Sequence, residues 1–230
     1  MNIAIIPARG GSKRIHRKNI KLFKGRPVIA YSIESALKSE IFDIVLVSTD
    51  DEEMAEVARS LGAEVPFLRP SNLSNDHTAT IPVIKHAIEY LQETGESFDF
   101  VCCIYATAPF ILVNDLKIAY EKIQNSNVDY CFPVTTYPYP VQRSLHINES
   151  GMIKMKNPEY NNIRSQDLDE CYHDVGQFYF GRTAAWLQNK PILSGKSLPL
   201  LIPRIRVQDI DTQEDWDMAE LMYEVINNNT

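Results

Sequence analysis

Short apolar runs alternate with segments of helical periodicity along this chain as far as residue 135. The run at 2–6 is typical of a buried strand because it is continuous, short and followed by a turn. The segment 51–62 predicts a helix, since acidic residues open it and Gly62 can close it as a C-cap. Such alternation favours a doubly wound, mostly parallel α/β sheet. The pattern predicts strands at 2–6, 42–50, 64–70, 98–109 and 128–135, and helices at 28–37, 51–62, 78–95 and 114–124.

From about residue 136 the alternation gives way to turns and short apolar runs. Turn residues between short alternating segments predict an antiparallel hairpin. The turn residues are Pro138, Pro140, Gly151 and Pro158. We therefore expect one domain over 1–230, with an inserted hairpin region at about 136–182. The rest of the pattern predicts an apolar run with a short helix at 177–187, a late strand at 201–211, and a closing helix at 212–226 that begins with a capping box of Thr212 and Asp215.

The net charge of the chain disfavours one class of binding partner. A formal net charge of −7 disfavours general nucleic-acid binding through a basic surface. No apolar run reaches the roughly 18 residues of a membrane span, and the amino terminus lacks the pattern of a signal peptide.

The four cysteines form no C-x-x-C pair, and adjacent Cys102 and Cys103 face opposite sides of any strand. We expect buried, unpaired thiols, no disulfide or zinc site, and a cytoplasmic location.

A basic, glycine-containing loop follows the first strand. Gly10 and Gly11 allow close backbone approach to a ligand and positive φ angles, and successive amides there can form an anion nest. Amide donors and cations together suit a polyphosphate, although a solvated basic turn is the alternative. The motifs G-x-G-x-x-G and Walker A are absent, because in the stretch around 194–197 Lys190 stands where the first glycine belongs. The cations of the loop are Arg9, Lys13, Arg14, Arg17 and Lys18.

Two carboxylates end the late predicted strand. Period-two alternation places Asp209 and Asp211 on one face, at the carboxyl end of that strand. Two hard oxygen ligands near a phosphate site suit Mg²⁺, which usually takes one or two carboxylates. The alternative from these residues alone is a turn aspartate at Asp209 and a helix cap at Asp211.

The stretch IIPARGGSKRIHRKN at 5–19 resembles the I-P-A-R-x-G-S-K…K-N signature of the sialic acid-type cytidylyltransferases. Tyr105 and the segments RSQD and YHDVGQFYF depart from the sialic acid enzymes and are most similar to the pseudaminic acid branch of the family. His16 stands where the family often has proline. Further segments similar to the family lie at 69–80, 105–110, 164–180 and 207–212, so that the resemblance covers nearly the whole chain.

The resemblance implies a Rossmann-like nucleotidyltransferase fold and transfer of CMP from CTP to an acidic nine-carbon sugar, with release of pyrophosphate. Pseudaminic acid is the expected sugar, with sialic and legionaminic acids as alternatives. A non-catalytic nucleotide-binding protein on the same fold is the alternative of a different class. The resemblance also implies a homodimer formed through the inserted hairpin region, with one subunit touching the sugar site of the other.

Site residues follow from the same resemblance. The catalytic residues would be Arg9, Lys18, Asp209 and Asp211, the last two holding Mg²⁺, with Mn²⁺ possible. The nucleotide would meet Pro7, Ala8, Arg9, Gly10, Gly11, Ser12, Lys13, Asn19, Arg69, Asp76 and Thr80. The sugar would meet Tyr105, Arg164, Gln166, His173 and Gln177.

Overall fold

Strands and helices alternate along residues 1–76 and 78–228, which are the residues that this computed structural model describes. The strands are β1 (Asn2–Pro7), β2 (Leu22–Phe23), β3 (Arg26–Pro27), β4 (Ile44–Ser48), β5 (Phe100–Ile104), β6 (Tyr130–Thr136), β7 (Leu145–Ile147), β8 (Ile153–Met155), β9 (Tyr172–Asp174), β10 (Phe178–Arg182) and β11 (Ser197–Leu201). The α-helices are α1 (Val28–Ser39), α2 (Glu52–Ser60), α3 (Thr80–Glu93), α4 (Val113–Gln124), α5 (Thr183–Leu187) and α6 (Gln213–Asn228).

The central sheet has the strand order β11-β6-β10-β5-β1-β4, and β9 also pairs with β6. Strand β1 runs parallel to β4 and β5, and β11 runs parallel to β6. Strand β10 is antiparallel to both of its neighbours, and β9 is antiparallel to β6. The predicted doubly wound, mostly parallel α/β fold is confirmed, because helices cover both faces of this sheet.

Three apolar clusters hold the layers together. One face of the sheet packs against α1, α2 and α4, and the other packs against α3 and α5. In the third cluster, α6 packs on the loop after β1, where Trp216 and Phe23 meet edge to face at 5.6 Å. Burying side chains of this size contributes roughly 1.5–3 kcal/mol each. This packing brings the segment before α6 alongside the basic loop.

Two helix starts follow their local sequence. Asp51 is the N-cap of α2, and its carboxylate accepts a hydrogen bond from the Met54 amide at 2.9 Å. Before α6, the amide of Thr212 donates to Asp215 at 2.7 Å, and the amide of Asp215 donates to the Thr212 hydroxyl at 3.2 Å. This reciprocal pair confirms the predicted capping box.

Two predicted strands are wrong. The segment 64–70 makes only isolated bridges, at Glu64 and Leu68. The segment 201–211 leaves the sheet after β11, with a 3₁₀ turn at Arg204–Arg206 and irregular backbone up to α6. Pairing with β6 ends at a hydrogen bond from the Ile202 amide to the Val134 carbonyl, although β6 itself continues to Thr136, because the chain turns away from the sheet at Pro203 and enters the 3₁₀ turn.

The inserted region carries the predicted antiparallel hairpin. Strands β7 and β8 pair with each other in a separate two-stranded sheet. Their apolar side chains face outward, with Ile147 73% and Ile153 70% exposed. The hairpin is therefore confirmed, and its apolar surface is not covered by the described part of its own chain.

The remaining sequence predictions concern membrane-spanning helices and the burial of the cysteines. Within residues 1–76 and 78–228, the helices are too short or too polar to cross a membrane. All four cysteines are free thiols. Burial is as predicted for Cys102, Cys103 and Cys131, but wrong for Cys171, which is partly exposed.

Candidate active site

A cavity of about 270 Å³ opens at the carboxyl edge of β1 and β5. Open α/β sheets bind ligands at this edge, where the strands end and the loops begin. The sequence-predicted site residues that line the cavity are Pro7, Arg9, Ser12, Lys13, Lys18, Asn19, Arg69, Asp76, Thr80, Tyr105 and Asp211. The structure thus brings together most of the residues expected to bind the nucleotide.

Each cation of the cavity is held by an internal carboxylate. Arg9 forms an ion pair with Asp76, and the Nζ of Lys13 lies 2.5 Å from the other oxygen of Asp76. The hydrogen bond from Lys13, followed by that from Arg9, lowers the pKa of Asp76 to about 2. Lys18 lies 3.3 Å from Asp211, and the guanidinium of Arg14 lies 2.9 Å from the same carboxylate. Asp76 and Asp211 therefore hold the cations of the cavity close together by neutralising their charge.

A glycine is needed at position 10 because there is no room for a Cβ atom, and not because the backbone has a positive φ angle. The expectation of positive φ at Gly10 and Gly11 is wrong, because neither lies in the left-handed region. Instead, a Cβ on Gly10 would lie 2.8 Å from a carboxylate oxygen of Asp51, whereas a Cβ on Gly11 would meet nothing within 4 Å. The amide of Gly10 donates to Asp50 at 2.9 Å. The loop is thus pressed against the end of β4.

Arg17 fixes the loop to α2 and does not line the cavity. Its guanidinium bonds to Asp51 at 2.8 and 3.1 Å and forms a further ion pair with Glu53. These bonds, that to Asp51 most, raise the pKa of Arg17. Its backbone has φ of 52°, in the left-handed region. Asp50 and Asp51 were not predicted as site residues, but their place directly after the apolar run of β4 was the available signal.

Arg69 places a buried guanidinium beside the cavity. Its side chain is 3% exposed, its Nε donates to Ser74 at 3.2 Å, and its Nη2 lies 3.8 Å from Asp50. Burial lowers the pKa of this guanidinium; Asp50 opposes the shift and Arg9 adds to it. A weakly neutralised buried cation favours an incoming anion or carbonyl acceptor.

Tyr105 forms the opposite wall. Its hydroxyl lies 3.4 Å from the Thr80 hydroxyl, and its ring lies 5.6 Å from the ring of Tyr179. The hydroxyl of Tyr179 in turn donates to Asp174 at 2.5 Å. Burial, more than any other cause, raises the pKa of both tyrosines. Both phenols therefore stay protonated, and that of Tyr179 serves as a hydrogen-bond donor.

The two carboxylates of the metal prediction lie next to the cavity. Asp209 is exposed, yet the surrounding chain desolvates it enough to raise its pKa; Asp211 adds to the shift and Lys18 opposes it. Among the described residues, no group of three or more acidic, histidine or cysteine side chains lies together in a metal-binding arrangement. A pair of carboxylates is nevertheless what Mg²⁺ takes from a protein when substrate phosphates supply other ligands. A dication would also relieve the repulsion between the two, so the residues fit the ion.

Four predicted sugar contacts do not line the cavity of their own chain. Arg164 is exposed and bonds to Asp167 at 2.7 Å, and Gln166 is exposed. The ring of His173 packs at 4.8 Å from that of Tyr137. Gln177 is buried and donates to the Arg206 carbonyl at 2.8 Å. Their contact with a sugar remains a prediction, as does nucleotide contact for Ala8, Gly10 and Gly11, which lie in the adjoining backbone.

Comparisons with known proteins cover nearly the whole chain. A model of the family described as cytidylyltransferase matches residues 3–220. The chain is 48% identical over 224 residues to the pseudaminic acid cytidylyltransferase of Campylobacter jejuni, covering 97% of both chains. It is 32% identical to the CMP-N,N'-diacetyllegionaminic acid synthase of Legionella pneumophila, covering 97% of this chain and 96% of the relative.

Among solved structures, the fold is similar to that of CMP:2-keto-3-deoxy-manno-octonic acid synthetase complexed with CTP. The TM-score is 0.70 at 16% identity, covering 98% of this chain and 99% of that one. At this identity the likeness shows the shared fold alone.

Proposed function

Because this chain belongs to the cytidylyltransferase family, we propose that it transfers CMP from CTP to pseudaminic acid and releases pyrophosphate. The observation that carries the proposal is its near-full-length likeness to a pseudaminic acid cytidylyltransferase, which exceeds its likeness to the legionaminic acid enzyme. The cavity gives independent physical support, since it gathers cations where an open α/β sheet binds nucleotides.

The triphosphate fits the basic loop. Arg9 and Lys13 both form ion pairs with Asp76, and Lys18 forms an ion pair with Asp211. A triphosphate would replace these carboxylates as the anionic partner, with charge-assisted hydrogen bonds from the same cations. Arg69, buried at the adjoining wall, would face the cytidine part of the nucleotide.

Asp209 and Asp211 would hold Mg²⁺, with Mn²⁺ as the alternative. A dication bound there would polarise the α-phosphate and lower the pKa of the attacking hydroxyl. The protein's own part is to hold the two carboxylates in place. Lys18 serves this purpose, since its ammonium donates to the Ile210 carbonyl at 2.5 Å, between the two.

The chemical step is an in-line displacement at the α-phosphorus. The anomeric hydroxyl of the sugar forms the new P–O bond and loses its proton, while the bond to the bridging oxygen of pyrophosphate breaks. Negative charge grows on the leaving pyrophosphate, and Arg9 and Lys18 would neutralise it. Because Asp76 and Asp211 already gather these cations, little reorganisation would be needed when the charge develops.

The sugar side of the site would be completed by a second copy of the chain. Tyr105 and Thr80 lie at the cavity, whereas Arg164 and Gln166 lie exposed in the inserted region. The outward apolar side chains of the β7–β8 hairpin give that region a surface suited to burial in a homodimer. The unpaired thiols suit a reducing cytoplasm, where we place the reaction.

The test is pyrophosphate release from CTP with a panel of sugars. Purified protein with CTP and Mg²⁺ should release pyrophosphate with pseudaminic acid, and far less with sialic or legionaminic acid. Reactions without sugar provide the blank. Release with another panel member instead would reassign the sugar, and CTP binding without turnover of any acidic nine-carbon sugar would favour a non-catalytic binding protein.

A further inference from the structure

The segment that carries Asp209 and Asp211 has no sheet to hold it. Between β11 and α6, the described backbone has a single 3₁₀ turn at Arg204–Arg206 and no ladder pairing. Metal sites need their ligands held within a fraction of an ångström. Side-chain contacts must therefore set the position of this segment.

The carboxyl-terminal half of the segment is held from the active-site side. Ile210 is fully buried in the cluster beneath α6, and its carbonyl accepts from Lys18. The amide of Asp211 donates to Asp215 at 3.1 Å. These contacts leave the amino-terminal half, up to residue 208, to be fixed by other groups.

Arg206 anchors that half through a buried ion pair. Its guanidinium lies 2.5 and 3.3 Å from the carboxylate oxygens of Asp115, in the first turn of α4. The two side chains are 14% and 9% exposed. A buried ion pair is weak evidence of stabilisation, since apolar residues of similar volume often serve stability as well.

Gln177 holds the same point from the other side. Its Nε2 donates to the Arg206 carbonyl at 2.8 Å, and its backbone carbonyl accepts from the Tyr105 amide at 2.8 Å. Its Oε1 is buried without a partner among the described residues. Leaving a buried acceptor unpaired is unfavourable for folding. The hydrogen bond that the Gln177 amide donates to Arg206 therefore indicates a role other than stability.

We infer that Asp115, Arg206 and Gln177 are positioning residues for the carboxylate-bearing segment, setting the distance at which Asp209 and Asp211 meet a metal–CTP complex. None of the three lines the cavity, so each acts through the backbone of the segment. The inference rests on the proposed function only in taking metal–CTP as the ligand. It separates Gln177 from the sugar contact that the family resemblance implies.

The experiment measures Mn²⁺ binding to the protein–CTP complex by electron paramagnetic resonance, without sugar and without turnover. Asp115→Asn and Gln177→Met are compared with the parent. Asp129→Asn is the matched control, because Asp129 pairs with Lys190 at 2.6 Å before β6, at the opposite edge of the sheet. We expect about 10-fold weaker Mn²⁺ binding in the first two variants, the low end of the effect of outer-shell partners, and no change in the control.

Two further measurements separate positioning from folding and from sugar contact. Metal-free CTP binding should stay within about twofold of the parent, and hydrogen exchange should accelerate at 204–209 while β1 stays protected. The double variant Asp115→Leu/Arg206→Met removes the charges together and keeps apolar volume, so that the fold is retained if Asp115→Asn alone unfolds. It should still weaken Mn²⁺ binding.

Parent-like Mn²⁺ binding in Gln177→Met and in the double variant would overturn the inference. A raised KM for the sugar with unchanged Mn²⁺ binding in Gln177→Met would also overturn it, in favour of sugar contact. If the parent binds Mn²⁺–CTP but does not convert pseudaminic acid, the proposed sugar fails while the positioning role is still decided by the variants.

Discussion

Replacing Gly10 by alanine is a sharp test of how the basic loop is built. The new Cβ would lie 2.8 Å from an oxygen of Asp51 and 2.9 Å from its Cβ. Asp51 is held on two sides, because it caps α2 through the Met54 amide and binds Arg17. Either the loop or the cap must therefore shift.

The size of the effect follows from these contacts. Overpacking a close contact costs roughly 1–3 kcal/mol, and a disturbed N-cap costs about 1 kcal/mol. We expect Gly10→Ala to lower the free energy of unfolding by about 2 kcal/mol. For a domain of this size, 1 kcal/mol shifts the melting temperature by about 2–4 °C, so the expected decrease is about 4–8 °C.

Gly11→Ala is the matched control. No atom lies within 4 Å of its added Cβ and its φ is not in the left-handed region. Gly→Ala at such a position is neutral or stabilises by up to about 1 kcal/mol. Both variants are measured by urea and thermal unfolding without ligand, so that contact with phosphate does not enter. Equal stabilities for the two variants would refute the packing argument.

Three further predictions concern the charges of the site. Arg9→Ala and Lys18→Ala are each expected to lose about 2–4 kcal/mol of transition-state stabilisation, measured as kcat/KM for CTP; near-parent values would move the phosphate site elsewhere. Asp209→Asn and Asp211→Asn should lower turnover by roughly 10²-fold or more with partial rescue by excess Mn²⁺, and an unchanged apparent metal affinity would exclude them as ligands. The pKa of Asp76 in the folded protein, about 2, lies below its unfolded value of about 3.9. The stabilisation by this carboxylate is therefore complete above pH 4 and is lost as pH falls towards 2. The difference in unfolding free energy between the parent and Asp76→Asn, measured in urea, should shrink over that pH window, and a constant difference would contradict the prediction.

The strand–helix alternation predicted the fold because local periodicity and buried contacts agree over most of residues 2–135, with the exception of 64–70. The same reasoning failed at 201–211, where the apolar alternation of Ile205 and Val207 continues after pairing has stopped. Whether such a run joins a sheet depends on the path that the chain takes after folding. Here the chain leaves β6 after Ile202, although β6 continues to Thr136, and the alternation of the later segment does not reveal that.

The site residues, like the strands, could be predicted from the sequence only in part. Contiguous residues of the basic loop could be assigned from one stretch of sequence, and Arg9, Lys13 and Lys18 do line the cavity. Asp76 and Asp211 were assigned to the site by resemblance, but their pairing with these cations could not be predicted, since they come from distant loops and meet the cations only after folding. Gln177 illustrates the limit, because its side chain turns away from the cavity towards Arg206, and sequence position does not reveal side-chain direction.

In the proposed site, the pairing of the loop cations with Asp76 and Asp211 would make nucleotide binding an exchange of anions. Because these cations already have carboxylate partners, a ligand would gain only the difference between its phosphates and these carboxylates. A ligand with one phosphate group could displace one carboxylate, whereas a triphosphate could displace both. The two aspartates would thus set a charge threshold that discriminates against inorganic phosphate and nucleoside monophosphates. After pyrophosphate departs, the same carboxylates would return to the cations and compete with the remaining phosphate, which would favour release of the CMP-sugar.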